Sequence, residues 1–164
     1  LTNEIVIKIA DLKVAKEPSI LTTHGLGSCL AIMLYHPEKK MGGLAHVMLP
    51  DPDLSRVKNQ PAKFPRTAVE MMLREMENEG CRPERIIAKL AGGATMFSGL
   101  LKASRESSHS IGSRNVEEAK AVLALHSVPV VAEDIGGDYG RSVEFILSSG
   151  TVLVRSFKAG LKEL

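Results

Sequence analysis

The stretch Cys29-Leu30-Ala31-Ile32-Met33-Leu34-Tyr35, the link His36-Pro37-Glu38-Lys39-Lys40 and the run Gly42-Gly43-Leu44-Ala45-His46-Val47-Met48 decide the fold. Two apolar runs flank a polar, proline-containing link of hairpin length, which predicts antiparallel neighbours in one sheet. Cys29 and His46 then fall on paired strands, and the register, which this pattern leaves open, decides whether their side chains meet.

Outward from the hairpin, alternating or β-branched runs predict strands at 5–9 and 19–23. Residues 51–61 are too polar and proline-rich for regular structure and read as an exposed loop. From 65 to 79, Ala68, Met71, Met72 and Met76 recur at helical spacing, with Pro65 suited to a first turn and Gly80 to the stop. The methionines read as core filling. A strand at 85–90 leads into Gly92-Gly93, and the serine-rich stretch 98–113 predicts a surface loop. Asn115 with Glu118 three residues on marks the start of a second helix, running to about residue 127. Strands at 130–132, 143–147 and 151–154 close the chain, separated by Gly136-Gly137 and Gly150. Strands clustered at both ends of the chain with about two main helices, without regular βαβ alternation, predict an α+β class: a layered α/β sandwich with mainly antiparallel or mixed strands, one domain over 1–164.

Lys and Arg number 21 against 19 Asp and Glu, a net charge of +2, and 44% of residues are hydrophobic, so the chain can build a core and is no disordered segment. With 4% aromatic residues and no Trp, a basic groove lined by stacking rings is not expected, and neither is nucleic acid as a partner. The longest apolar run, 29–35, is far short of the ~20 residues that a membrane-spanning helix needs, so no membrane insertion is expected. The first residues lack the basic start and apolar stretch of a signal peptide, which predicts a cytoplasmic address with Cys29 and Cys81 as thiols.

The chemistry concentrates in Thr23-His24-Gly25-Leu26-Gly27-Ser28-Cys29. Glycines let a backbone present consecutive N–H groups, so the amides of Ser28 and Cys29 can face a developing oxyanion beside an attacking sulfur. Free cysteine is among the most buried residue types, and the glycine-rich approach is what separates Cys29 from a structural thiol. Cys81 has no such context and reads as structural or merely exposed. A cysteine nucleophile needs a base, and of the five histidines only His46 lies within a predicted strand beside that of Cys29. A lone histidine on an apolar strand is as readily a hydrogen-bonded core residue, and His24 competes through its loop position. His36 and His109 read as solvated turn residues and His126 as a helix end.

His24, Cys29 and His46 are also zinc-type ligands, but short paired spacings are missing, so no metal or other cofactor is expected. Gly25-x-Gly27 is half of a dinucleotide fingerprint, with Leu30 at the third glycine position and a strand where a helix belongs. Arg141 and Glu144 read as a surface pair of small energetic value.

Five ordered motifs resemble the chemoreceptor glutamine deamidase family, CheD: Gly25 to Cys29 with Gly43-Leu44-Ala45-His46-Val47-Met48-Leu49-Pro50; Ala88-Lys89-Leu90-Ala91-Gly92-Gly93-Ala94-Thr95-Met96-Phe97; Ile111-Gly112-Ser113-Arg114-Asn115-Val116; Ala132-Glu133-Asp134-Ile135-Gly136-Gly137; and Arg141-Ser142-Val143-Glu144. The resemblance implies an α+β sandwich whose catalytic residues are Cys29, His46 and Thr23; the glycine-rich approach adds Gly27 and Ser28 at the oxyanion and substrate side. It implies hydrolytic deamidation of glutamines on the cytoplasmic helices of chemoreceptors through a thioester, with a CheC-type phosphatase as a further partner. The alternative is a module that grips a receptor or such a phosphatase without turnover. The sequence departs from the family pattern at Arg66 and in a longer 98–110 segment, both in predicted surface elements, where recognition tends to reside.

Overall fold

The computed structural model describes residues 3–96 and 110–164. In chain order the elements are β1 (Glu4–Val6), β2 (Leu12–Lys16), β3 (Ile20–Leu26), β4 (Leu30–His36), β5 (Met41–Val47), α1 (Pro65–Asn78), β6 (Ile87–Gly92), α2 (Ile111–Leu125), β7 (Val130–Ile135), β8 (Arg141–Ile146), β9 (Thr151–Ser156) and β10 (Gly160–Glu163). They form two five-stranded sheets, ordered β1-β3-β8-β9-β10 and β2-β5-β4-β6-β7. Both are mixed: β1 runs parallel to β3 and β6 parallel to β7, while the other pairs are antiparallel. The predicted α+β sandwich is what the chain forms.

The β4–β5 hairpin is the centre of the second sheet, paired from Leu30↔Val47 to His36↔Met41. Every residue of β4 is buried, because both its faces are covered. Leu30, Ile32 and Leu34 join a core with Met72 and Met76 of α1 and Val122 and Leu123 of α2. Ala31, Met33 and Tyr35 point the other way and pack with Leu21, Val143, Phe145 and Val152 of the first sheet. The layers are therefore sheet, sheet, helices, and a strand buried on both faces reads as one apolar run rather than as an alternation.

α1 follows its sequence signals: Pro65 opens it, Ala68, Val69, Met72, Leu73 and Met76 face the core, and Gly80 takes a positive φ of 90° just beyond its end. α2 begins four residues before the predicted start. Ser110, not Asn115, is its cap, with the Ser110 hydroxyl accepting from Ser113 N–H, and Asn115 is buried inside the helix. Serine favours loops and helix caps alike, so composition alone does not say which role a serine-rich stretch plays. The rest of the predicted loop, 98–109, with His109, lies outside the described residues.

Other expectations are corrected. β2 and β10 carry no clear alternation and went unpredicted; they are edge strands, less buried than the centre. His36 is not a solvated turn residue: it ends β4 and is 4% exposed. Arg141 is buried rather than on the surface, and its Nε donates to Asp134 Oδ2 at 3.1 Å, while Glu144 meets Arg155 instead. Of the two readings of Cys81 the structural one holds: it is buried, its sulfur 3.5 Å from that of Met41.

Candidate active site

The chain leaves the first sheet at the end of β3 and enters the second at the start of β4, so residues 27–29 sit at the seam between the sheets. The β3–β8 register breaks between Thr23 and Leu26, where Gly25 has a φ of +69°. Ahead of this bend, strand alternation points Thr23 inward and His24 outward. Past it, the backbone is stitched to the end of β6: Ala94 N–H donates to Gly27 O at 2.9 Å and Gly93 N–H to Cys29 O at 2.8 Å. Gly92 takes a φ of +112°, and a Cβ there would lie 2.5 Å from Cys29 O, so only glycine fits beside this carbonyl.

The hairpin register fixes which residues share the inter-sheet face. His46 lies opposite Ala31. Cys29, two residues before Ala31 and just ahead of the paired residues, belongs to the same inter-sheet core as Ala31, which puts it on the sheet face that carries His46. Thr23 reaches the pair from the facing sheet, its Oγ1 2.7 Å from His46 Nδ1.

Proton accounting sets the tautomer. The Thr23 hydroxyl has one proton and donates it to Ile7 O at 2.7 Å. The Thr23–His46 bond therefore runs from His46 Nδ1–H to the Thr23 oxygen. Nε2 then carries a lone pair, and it has no hydrogen-bond partner among the described residues. Burial lowers the His46 pKa from its usual 6.5 to about 4 and pushes the Cys29 thiol up. Both groups are thus neutral at pH 7, and Nε2 is the ring atom left free to accept a proton. Cys29 is 8% exposed, against 2% for His46 and 0% for Thr23, so Cys29 is the most accessible residue of the trio.

Among the described residues, neither Ser28 N–H nor Cys29 N–H donates to another group, whereas the carbonyls of Gly27 and Cys29 are both held. Gly27 itself lies against a side chain, since a Cβ there would be 3.2 Å from Met96 Cγ. The competing histidines are elsewhere. His24 is exposed, with Nδ1 3.2 Å from Ser142 Oγ, His36 is at the far end of the hairpin, and His126 meets Glu70 in the helical layer. Among the described residues no cluster of three His, Cys, Asp or Glu side chains is placed to hold a metal ion, and no helix is long and apolar enough to cross a membrane.

Comparison with known proteins shows the family. Residues 48–156 match the family described as CheD chemotactic sensory transduction. The chain belongs to the CheD family. CheD relatives match over nearly the whole chain. A Geobacter metallireducens protein named probable chemoreceptor glutamine deamidase CheD 2 is 47% identical over 163 residues, covering 98% of both chains. One from Caldanaerobacter subterraneus, named probable chemoreceptor glutamine deamidase CheD, is 46% identical, covering 95% of this chain and 94% of its own. The Bacillus licheniformis chemoreceptor glutamine deamidase CheD is 41% identical, covering 98% and 94%. Among solved structures, the Bacillus licheniformis hypothetical protein YfiH is similar at a TM-score of 0.45 and 16% identity, over 75% of this chain and 49% of that one.

Proposed function

We propose that this chain is a single cytoplasmic domain, spanning 1–164, that deamidates glutamine side chains on the cytoplasmic helices of chemoreceptors. The names of the CheD relatives support the reaction and the substrate class. The observation that carries the mechanism is the Thr23–His46 bond, whose direction leaves the His46 Nε2 lone pair free on the face shared with Cys29. A residue with only a packing role has no need of a buried, unpartnered ring nitrogen.

In this reading the pair is neutral at rest and ionises as the substrate arrives. The Cys29 thiol proton passes to His46 Nε2 while the sulfur attacks the glutamine carboxamide carbon, and the C=O electrons move onto oxygen. The N–H groups of Ser28 and Cys29 receive this oxyanion, with Gly27 shaping the approach. Thr23 holds the imidazolium that forms. As the tetrahedral centre collapses, His46 gives its proton to the departing ammonia and a thioester remains. Water, deprotonated by His46, then attacks the thioester, and glutamate leaves as the thiol is restored.

The test is mass spectrometry of a purified receptor cytoplasmic fragment after incubation with the protein, reading the mass gain that replacing –NH2 by –OH produces at glutamines. Conversion is expected with the wild type and none with Cys29→Ala, while His46→Ala should lose roughly 10²–10⁴-fold in rate, the usual contribution of a general base. Receptor or CheC-type phosphatase binding without any Cys29-dependent conversion would overturn the enzymatic reading in favour of the binding module.

A further inference from the structure

Asn115 stands in the second turn of α2, fully buried, although asparagine is a poor residue for a helix interior. Its Nδ2 donates to two carbonyls, Ser28 O at 2.9 Å and Met48 O at 3.2 Å. Both acceptors are carbonyl oxygens, so the amide must present NH₂ to them, and both its protons are used. Its Oδ1 is buried with no partner among the described residues, a cost that a merely packed side chain would avoid.

We propose that Asn115 is a positioning residue for the oxyanion site, an inference that rests on the deamidase reading. In a trans peptide the C=O and N–H point in opposite directions, so anchoring Ser28 O to Asn115 sets the direction of Cys29 N–H. The preceding peptide is held in the same way, because Ala94 N–H on Gly27 O sets the direction of Ser28 N–H. Two consecutive amides are thereby aimed through their carbonyls while their N–H groups stay free for a ligand. The second Asn115 bond, to Met48, ties this loop to the end of the β5 segment that carries His46. α2 is itself seated closely on the turn after β6: a Cβ at Gly112 would overlap Ala94 O, and one at Gly93 would lie 2.5 Å from Val116 Cγ2. The helix is thus a rigid base for the loop, with Asn115 as the contact that reaches the Ser28–Cys29 peptide.

Asn115→Ala and the isosteric Asn115→Asp test this, with receptor-glutamine deamidation, iodoacetamide alkylation of Cys29 and a thermal melt measured for each. In a folded variant kcat should fall about 10²-fold, the scale of losing one oxyanion donor, with KM within about twofold. Alkylation, which forms no oxyanion, should keep the wild-type rate and pH profile. Unchanged kcat would overturn the inference, as would alkylation falling in proportion to kcat, the mark of general loosening. Failure of both variants to fold would make Asn115 a residue of the fold and also overturn it. A wild type with no Cys29-dependent conversion would instead overturn the deamidase reading, and this inference with it.

Discussion

His46 sits on a strand face that packs against another sheet, and that burial sets its proton affinity. With the pKa lowered from 6.5 to about 4, the folded protein refuses a proton that the unfolded chain accepts between these values. Stability should therefore be unaffected by this group above pH 6.5 and decline as pH falls toward 4, by roughly 3 kcal/mol in all, at ~1.4 kcal/mol per pKa unit. Urea denaturation from pH 7 to 4 should show a steeper loss for the wild type than for His46→Gln, and equal slopes would contradict the assignment. Thr23→Val keeps the shape of the side chain and removes the acceptor of His46 Nδ1–H. It should cost about 1–3 kcal/mol, the price of a buried unsatisfied donor, and slow deamidation with little change in KM. A melt and steady-state kinetics on the same preparation check both.

At the level of elements, the site depends on one hairpin and on the turn that grips it. The hairpin was legible because its two apolar runs and polar link leave few alternatives, and α1 because its apolar spacing, Pro65 and Gly80 agree. The start of α2 was not, since Ser110 caps a helix with the same chemistry that serines use in loops. β10 was not, since all four of its residues are exposed and no face of it is patterned by burial. Gly92 is where the turn meets the Cys29 segment. Gly92→Ala places a Cβ against Cys29 O at a φ of +112°. The expected result is a loss of at least about 1–3 kcal/mol from backbone strain, together with a fall in kcat as Cys29 is displaced. A denaturation midpoint and a turnover assay measure the two, and an Ala variant equal to wild type in both would show that the turn tolerates the shift.

For the whole molecule, the question is what holds the two sheets together at the end where the site lies. Arg141 opens β8 in the first sheet, opposite Leu26, and Asp134 belongs to β7 in the second, so their ion pair spans the layers. The Arg141 side chain is 1% exposed, and its guanidinium also donates to Gly136 O at 2.8 Å. Arg141→Leu strands a carboxylate with Lys162 as its remaining partner and should cost about 3–5 kcal/mol in urea denaturation, the range for breaking a buried pair from one side. A loss below 1 kcal/mol, the scale of an exposed pair, would return Arg141 to the surface role that its sequence context suggests. By itself the sequence determined the class of fold, the central hairpin, the first helix and the residue types of the site, because local hydrophobic pattern and turn chemistry carry that information. The tertiary structure alone decided that Ala31 faces His46, that Thr23 crosses from the other sheet to orient the ring, and that Asn115 and Arg141 are buried. Register, inter-sheet contacts and burial all join residues distant in the chain, and no local pattern encodes which of them will meet.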